Sequence, residues 1–234
     1  MATTTTNFGW DIPQSTDLVK DGATAIATLG QDIDTALLDL KGGSTNQILA
    51  KNSGTDLDFK WIADESQVLL STTTLSGAST VISSISQSYK DLLVYVYGVE
   101  LSTGAAIRVK SPGTSASFTG NRQVVNYFDQ NASTTGTSGE AGAAADGINL
   151  TLPQNSGIGT QNLWVITFNN YTDAFSGPAF KYHGEYRGAT SANQFILNGA
   201  GVLDSSSATA ITALTFLPST GTFSAGTVKI YGVR

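Results

Sequence analysis

The chain has 234 residues, of which 40% are hydrophobic and only 13% charged, so it is long and apolar enough to build a substantial core and is not disordered throughout. Eighteen acids against twelve bases give a net charge of -6, which argues against a polyphosphate partner, because such a partner demands clustered Lys and Arg. With no cysteine, disulfides and thiolate metal sites are excluded; no basic leader and no apolar run of the ~18 residues a membrane span needs is present, so neither a signal peptide nor membrane insertion is expected.

The charge is unevenly spread. Residues 1–65 hold ten acids and four bases, whereas residues 66–234 hold eight of each, which predicts two modules of different character. Within the first, residues 1–14 read as an extended segment. Ala2 to Thr6 bury almost nothing and are expected to be mobile unless another protein holds them. Phe8 and Trp10, followed by Pro13, have no neighbouring apolar run to cover them; the rings either plug into a larger assembly or fold back on the chain's own helix.

Residues 15–41 read as a helix with Ser15 or Thr16 as N-cap, Asp17 and Asp21 in the first turns, and Gly42 and Gly43 beyond its end. Val19, Ile26, Leu29, Ile33, Ala36 and Leu40, with Gly22 filling the one gap, recur at alternating steps of three and four. That is the spacing of a coiled-coil seam, β-branched at three of its four a positions. About three heptads are too short to hold chains together unaided, so the helix is expected to be a stalk that leans on a stronger neighbour; a helix packed on its own sheet stays open as the alternative. Residues 42–65 predict a connector with a β-hairpin, Gln47–Lys51 and Leu57–Trp61 around an Asn-Ser-Gly-Thr-Asp turn.

The ordered pieces Asn7-Phe8-Gly9-Trp10, Asp17 to Gly22, Ile33-Asp34, Gly42-Gly43, Gln47 to Lys51 and Asp58-Phe59-Lys60-Trp61 together resemble the N-terminal region shared by many tailed-phage tail-fibre and minor structural proteins. The resemblance covers about the first quarter of the chain and implies trimeric fibres.

From residue 66 onward about ten strand-like runs, from Gln67–Leu75 to Thr227–Tyr231, are bounded by Gly, Ser, Asn and Pro, and no helical period recurs. Residues 66–234 are therefore expected to form an antiparallel β-sandwich head of jelly-roll type, making the chain mostly β. Leu92 to Tyr97 carries apolar or aromatic groups on both faces, so the second face is expected against a neighbouring subunit. Ser133 to Ala145 has neither period nor bulk and reads as a long mobile loop. Tyr89-Lys90-Asp91-Leu92, Asn169-Asn170-Tyr171, Ala210-Ile211-Thr212 and Gly221 to Gly232 resemble marks of a phage virion β-domain at the distal end of fibre-like proteins.

Catalytic chemistry is scarce. His183 is the single histidine; alternation puts it on one strand face with Glu185, an acid and base pair only if both line a cleft. No phosphate loop, nucleophile elbow or metalloprotease helix occurs, and Asp56 and Asp58 fit a solvated turn better than a cation site. No enzyme activity, catalytic residue, metal or cofactor is expected. Aromatic platforms beside neutral hydrogen bonders suit sugar or protein binding, which singles out Tyr127, Phe128, Asn131, Asn170 and Tyr171, although aromatics at strand ends also commonly lid a core. The expected function is that of a homotrimeric virion structural protein, assembled in the host cytoplasm. It would dock to other virion proteins through Phe8, Trp10 and Pro13 and present its head to a host-surface glycan or protein; the alternative is a capsid decoration or head-fibre protein with a purely structural role.

Overall fold

The structure, a computed structural model, describes residues 3–16, 18–64, 66–110, 122–130, 133–141, 147–152, 158–173, 179–188, 194–202 and 210–234. The chain divides into two compact units, Met1–Glu65 and Ser66–Arg234. It is mostly β, in antiparallel sheets, with a single α-helix among the described residues.

In the first unit, β1 (Thr3–Thr4) pairs with β2 (Asp11–Ile12). The intervening turn closes through the Thr5 N–H on the Trp10 carbonyl at 2.8 Å and the Gly9 N–H on the Thr5 carbonyl at 3.0 Å. Gly9 sits at φ 68°, a left-handed conformation that glycine enters without a steric penalty. Thr3 to Thr6, expected to be mobile, thus belong to a small hydrogen-bonded turn.

Helix α1 spans Val19–Ala36, shorter at both ends than the 15–41 expected. Leu18, not Ser15 or Thr16, precedes the first turn and offers no capping side chain, while Asp21 stands in that turn; Asp17 lies outside the described residues. The helix passes into a 3-10 turn at Leu38–Leu40, so Leu40, the last expected seam position, is not in the α-helix. Gly22 and Gly30 inside it each cost about 1 kcal/mol relative to Ala.

A hairpin follows, β3 (Gln47–Lys51) with β4 (Phe59–Ala63). Its loop is tied by Asp58, whose carboxylate accepts from the Ser53 hydroxyl and, at 3.0 Å, from the Asn52 amide; these two bonds hold the carboxyl below the usual carboxylate range. A Cβ on Gly43, itself at φ 86°, would stand 2.8 Å from the Trp61 ring, so only glycine lets the indole lie against the backbone there. Among its described residues this unit buries none.

The second unit is built from β5 (Gln67–Thr74), β6 (Thr80–Ile82), β7 (Asp91–Leu101), β8 (Ile107–Lys110), β9 (Arg122–Asp129), β10 (Thr134–Ala141), β11 (Ile148–Asn149), β12 (Ile158–Asn169), β13 (Ala179–Gly188), β14 (Gln194–Val202), β15 (Leu214–Pro218) and β16 (Phe223–Val233). They form an eight-stranded sheet, ordered β10-β9-β14-β13-β12-β7-β16-β5, and a four-stranded sheet, ordered β11-β8-β15-β6. One hydrophobic core draws on both sheets, including Leu92, Val94, Val96, Trp164, Ile166, Phe168, Val228 and Ile230 from the larger and Ile107, Val109, Leu214 and Phe216 from the smaller. Period-two alternation produces this: in β7, Leu92, Val94 and Val96 are fully buried, whereas Leu93, Tyr95 and Tyr97 are half-buried on the other face.

Part of the segment Ser133 to Ala145 departs from its expectation as a loop. Residues 134–141 are β10, paired residue for residue with β9 from Thr134↔Asp129 to Ala141↔Arg122, because a backbone ladder needs no bulky side chains once a neighbouring strand supplies the partners; residues 142–145 lie outside the described residues. β6, at Thr80–Ile82, is a further strand that the sequence did not announce.

On the inner face of the large sheet, glycines stand directly across from rings. Trp164 is the register partner of Gly184 and Tyr127 of Gly136, while Gly199 is the partner of Tyr182; a Cβ on these glycines would lie 2.1–2.5 Å from the ring opposite. The tips of two of these rings and of a third are tied to one stretch of backbone: Trp164 Nε1 donates to the Leu150 carbonyl at 2.6 Å, the Tyr182 hydroxyl to the Asn149 carbonyl at 2.8 Å, and the Leu152 N–H to the Tyr186 hydroxyl at 3.3 Å. Gly199→Ala is expected to lower unfolding free energy by about 1–3 kcal/mol through overpacking against Tyr182, while Ala200→Ser, next door on the exposed face, stays within about 0.5 kcal/mol; urea denaturation of the two variants measures both.

Candidate functional site

The candidate residues fall at separate places. Asn131 lies outside the described residues. Tyr127 points inward and packs at the edge of the core, whereas Phe128, one residue on, is on the outward face and exposed. Tyr171 is fully buried and its hydroxyl donates to the Ser86 carbonyl, so it offers no surface to a ligand; burial pushes its phenol up from the ordinary value of 10.0. Asn170 is exposed at the turn after β12, with its N–H on the Asp91 carboxylate at 2.8 Å. Phe128 pairs with Ile196 in β14, while the turn holding Asn170 follows the Asn169↔Ala179↔Val202 pairing at the other end of the same strands. The structure does not bring these residues together.

Instead, Asn170 and Tyr171 join the pieces that carry the C-terminal resemblance. Ile211 N–H donates to the Tyr171 carbonyl at 2.8 Å, Ile85 N–H to the Thr212 carbonyl at 3.0 Å, and Lys90 N–H to the Val233 carbonyl at 2.9 Å. Gln87 Nε2 bridges the Ile85 and Ile211 carbonyls. Tyr89 covers Gly232, where a Cβ would come within 2.4 Å of the ring. The motif is a clasp at one end of the unit, and Tyr171→Phe is expected to cost about 1–3 kcal/mol by stranding a carbonyl, read as a lower midpoint in chemical denaturation.

The outward face of the large sheet is ordered by register into rows. One runs Thr135, Phe128, Ile196, Glu185, Leu163, Tyr97, Thr227; the next runs Thr137, Asn126, Asn198, His183, Val165, Tyr95, Lys229. Over β9, β10, β13 and β14 these rows are largely polar, over β12 and β7 they turn apolar and aromatic with Leu163, Val165, Tyr95 and Tyr97, and on β16 they end on Thr227 and Lys229. His183 and Glu185 do share a face, 3.1 Å apart from Nε2 to Oε1, with side chains 45% and 60% exposed. Nδ1 of the imidazole meets Asn198 Oδ1 at 2.9 Å, and Thr137 Oγ1 donates to Asn126 Oδ1 at 3.0 Å. Two depressions flank Ile196, one of about 470 Å³ beside Phe128 and Asn126, the other of about 350 Å³ beside Glu185 and Leu163.

In the first unit, Phe8 and Trp10 stack on each other with ring centroids 4.7 Å apart. Phe8 is half exposed, and Pro13 is partly covered. The seam residues of α1 face outward: Val19 is 96% and Ile26 66% exposed, and Ile33 and Leu40 are also exposed, while Leu29 and Ala36 are half-buried. No group of three or more His, Asp or Glu able to hold a metal occurs among the described residues, and among these no helix is long and apolar enough to cross a membrane. Compared with known proteins, the chain matches no family model, no curated protein and no solved structure.

The Asn198 and Glu185 bonds, in that order, raise the His183 pKa above its ordinary 6.5, because both acceptors favour the doubly protonated ring. A group raised on folding contributes stability that is fully present below pH 6.5 and is lost as pH rises through the folded value. As the only histidine, His183 gives a single imidazole NMR titration, expected to have its midpoint above 6.5 and to fall in both Asn198→Ala and Glu185→Gln.

Proposed function

We propose that this chain is a structural protein of a tailed-phage virion, a tail fibre or similar appendage, docking to the particle through residues 1–14 and presenting its β unit to the host surface. The observation that carries the reading is the bare first unit. Its described residues include none that is buried, yet Val19, Ile26 and Ile33 stand exposed along one helix. A helix of 18 residues with two internal glycines and no side-chain cap does not hold itself in water. A homotrimeric coiled coil would supply the missing contacts, and the β-branched Val19, Ile26 and Ile33 suit its a positions.

For the head, the strand orders β12-β7-β16-β5 and β11-β8-β15-β6 support a jelly roll, to which β9–β10 and β13–β14 are added hairpins. Leu93, Tyr95, Tyr97, Leu163, Val165 and Tyr231 on its outward face suit contact between copies. Three heads on one stalk raise the effective concentration of each site, so individually weak contacts hold a repetitive surface. No catalytic step belongs to this reading.

Ile26→Asp combined with Ile33→Asp is expected to convert the trimer to monomer, because layers of like charge cannot be buried together; multi-angle light scattering reads the mass, and an unchanged mass with an unchanged helical signal counts against the seam. Deleting residues 1–41 should leave the head folded and abolish incorporation into particles. Immunogold labelling confined to the capsid shell, with adsorption unaffected by purified protein, would overturn the attachment role in favour of shell decoration.

A further inference from the structure

The geometry points to the outward face of β9, β10, β13 and β14, centred on Phe128, Ile196, Asn126 and Asn198, as a binding site for an uncharged host-surface oligosaccharide; this rests on the attachment reading above. These four strands extend the large sheet beyond the four that stand with β11, β8, β15 and β6 in the two-sheet core. Their inward residues are spent on the core, among them Val125, Tyr182, Tyr186, Phe195 and Leu197. Among the described residues, Asn126, Phe128, Ile196 and Asn198 on their outward side are exposed.

What those outward residues offer is specific. Phe128 and Ile196 are direct register partners, and together they make a small apolar platform of the size of one sugar ring's C–H face. Around it stand neutral hydrogen bonders from three strands, Thr135 and Thr137 of β10, Asn126 of β9 and Asn198 of β14, with His183 and Glu185 beside them on β13. The oxygens of both amides are already engaged: Asn126 Oδ1 accepts from Thr137, and Asn198 Oδ1 faces His183. The NH2 group of each exposed amide is a donor that a ligand can use, and the exposed Glu185 carboxylate is an acceptor beside them. Fixing these groups before binding lowers the ordering cost that otherwise erodes affinity. Open depressions of about 470 and 350 Å³ lie on either side of Ile196, so a ligand seated on the platform has room to extend past it on both sides.

Other ligand classes fit less well. A protein partner needs a sizeable apolar centre, and here Phe128 and Ile196, with Val124 further along β9, share the described outward face with the exposed polar residues Asn126, Asn198, His183 and Glu185. A polyanion needs clustered cations, whereas the described outward cations of β13, Lys181 and Arg187, share that strand with Glu185.

The test uses the full-length protein and cells of the bacterium that its particle infects, treated with periodate, which cleaves sugar diols, or with proteinase K. Binding is expected to be lost after periodate and retained after proteinase. Phe128→Ala and Asn198→Ala should each weaken binding at least about fivefold while remaining folded by circular dichroism at the assay temperature, and Asn170→Ala at the far end of the sheet should bind as the parent does. Binding that survives periodate and is lost to proteinase overturns the saccharide site and leaves attachment standing, as does undiminished binding by both Phe128→Ala and Asn198→Ala. Failure to bind untreated cells removes the attachment reading and this inference with it.

Discussion

The second unit depends on rings laid across bare backbone. Where Gly184, Gly199 and Gly136 leave the inner side of a strand empty, Trp164, Tyr182 and Tyr127 fill it from the neighbouring strand. The arrangement does two things at once: it buries large aromatic area where strands approach closely, and it carries Trp164 Nε1 and the Tyr182 hydroxyl to the backbone of Asn149 and Leu150. The large sheet is thereby pinned to the segment after β11, and the register of β12, β13 and β14 follows from where the glycines stand.

The first unit has no such anchor. It has secondary structure in abundance, a helix, a hairpin and a closed N-terminal turn, but apart from local contacts such as the Phe8–Trp10 stack its described apolar residues are at most half-buried. Local hydrogen bonds alone rarely stabilise elements this short. The two units therefore differ in kind. One carries its own core; the other buries none of its described residues, and on the proposed reading other chains complete it.

Runs of bulky residues were legible as strands, but in Leu92 to Tyr97, apolar or aromatic on both faces, the sequence did not say that Leu92, Val94 and Val96 are the buried set. β10 was not legible, since Thr, Ser and Gly carry no trace of burial and its place is set by backbone pairing with β9. Helix α1 was legible in its spacing and not in its ends, because Leu18 gives no capping signal. Among surface residues, the difference between Tyr127 and Phe128 is one step of pleat, which only the register decides. The polar row of Thr137, Asn126, Asn198 and His183 was out of reach for a related reason: its members are spread over some seventy positions and meet only through the β10-β9-β14-β13 pairing. Tyr171 looked like a turn aromatic and proved to be a clasp, a role visible only once Ser86 and Ile211 were beside it.

The strict alternation along β13 and β14 separates two histories within the same strands. Residues 180, 182, 184, 186, 195, 197 and 199 are locked by packing, so change there is filtered by folding. Their neighbours at 181, 183, 185, 196, 198 and 200 are exposed, and surface exchanges of that kind cost little. The outer surface can therefore be rewritten position by position, with the scaffold beneath it left untouched, and what the molecule touches can drift far faster than what it is.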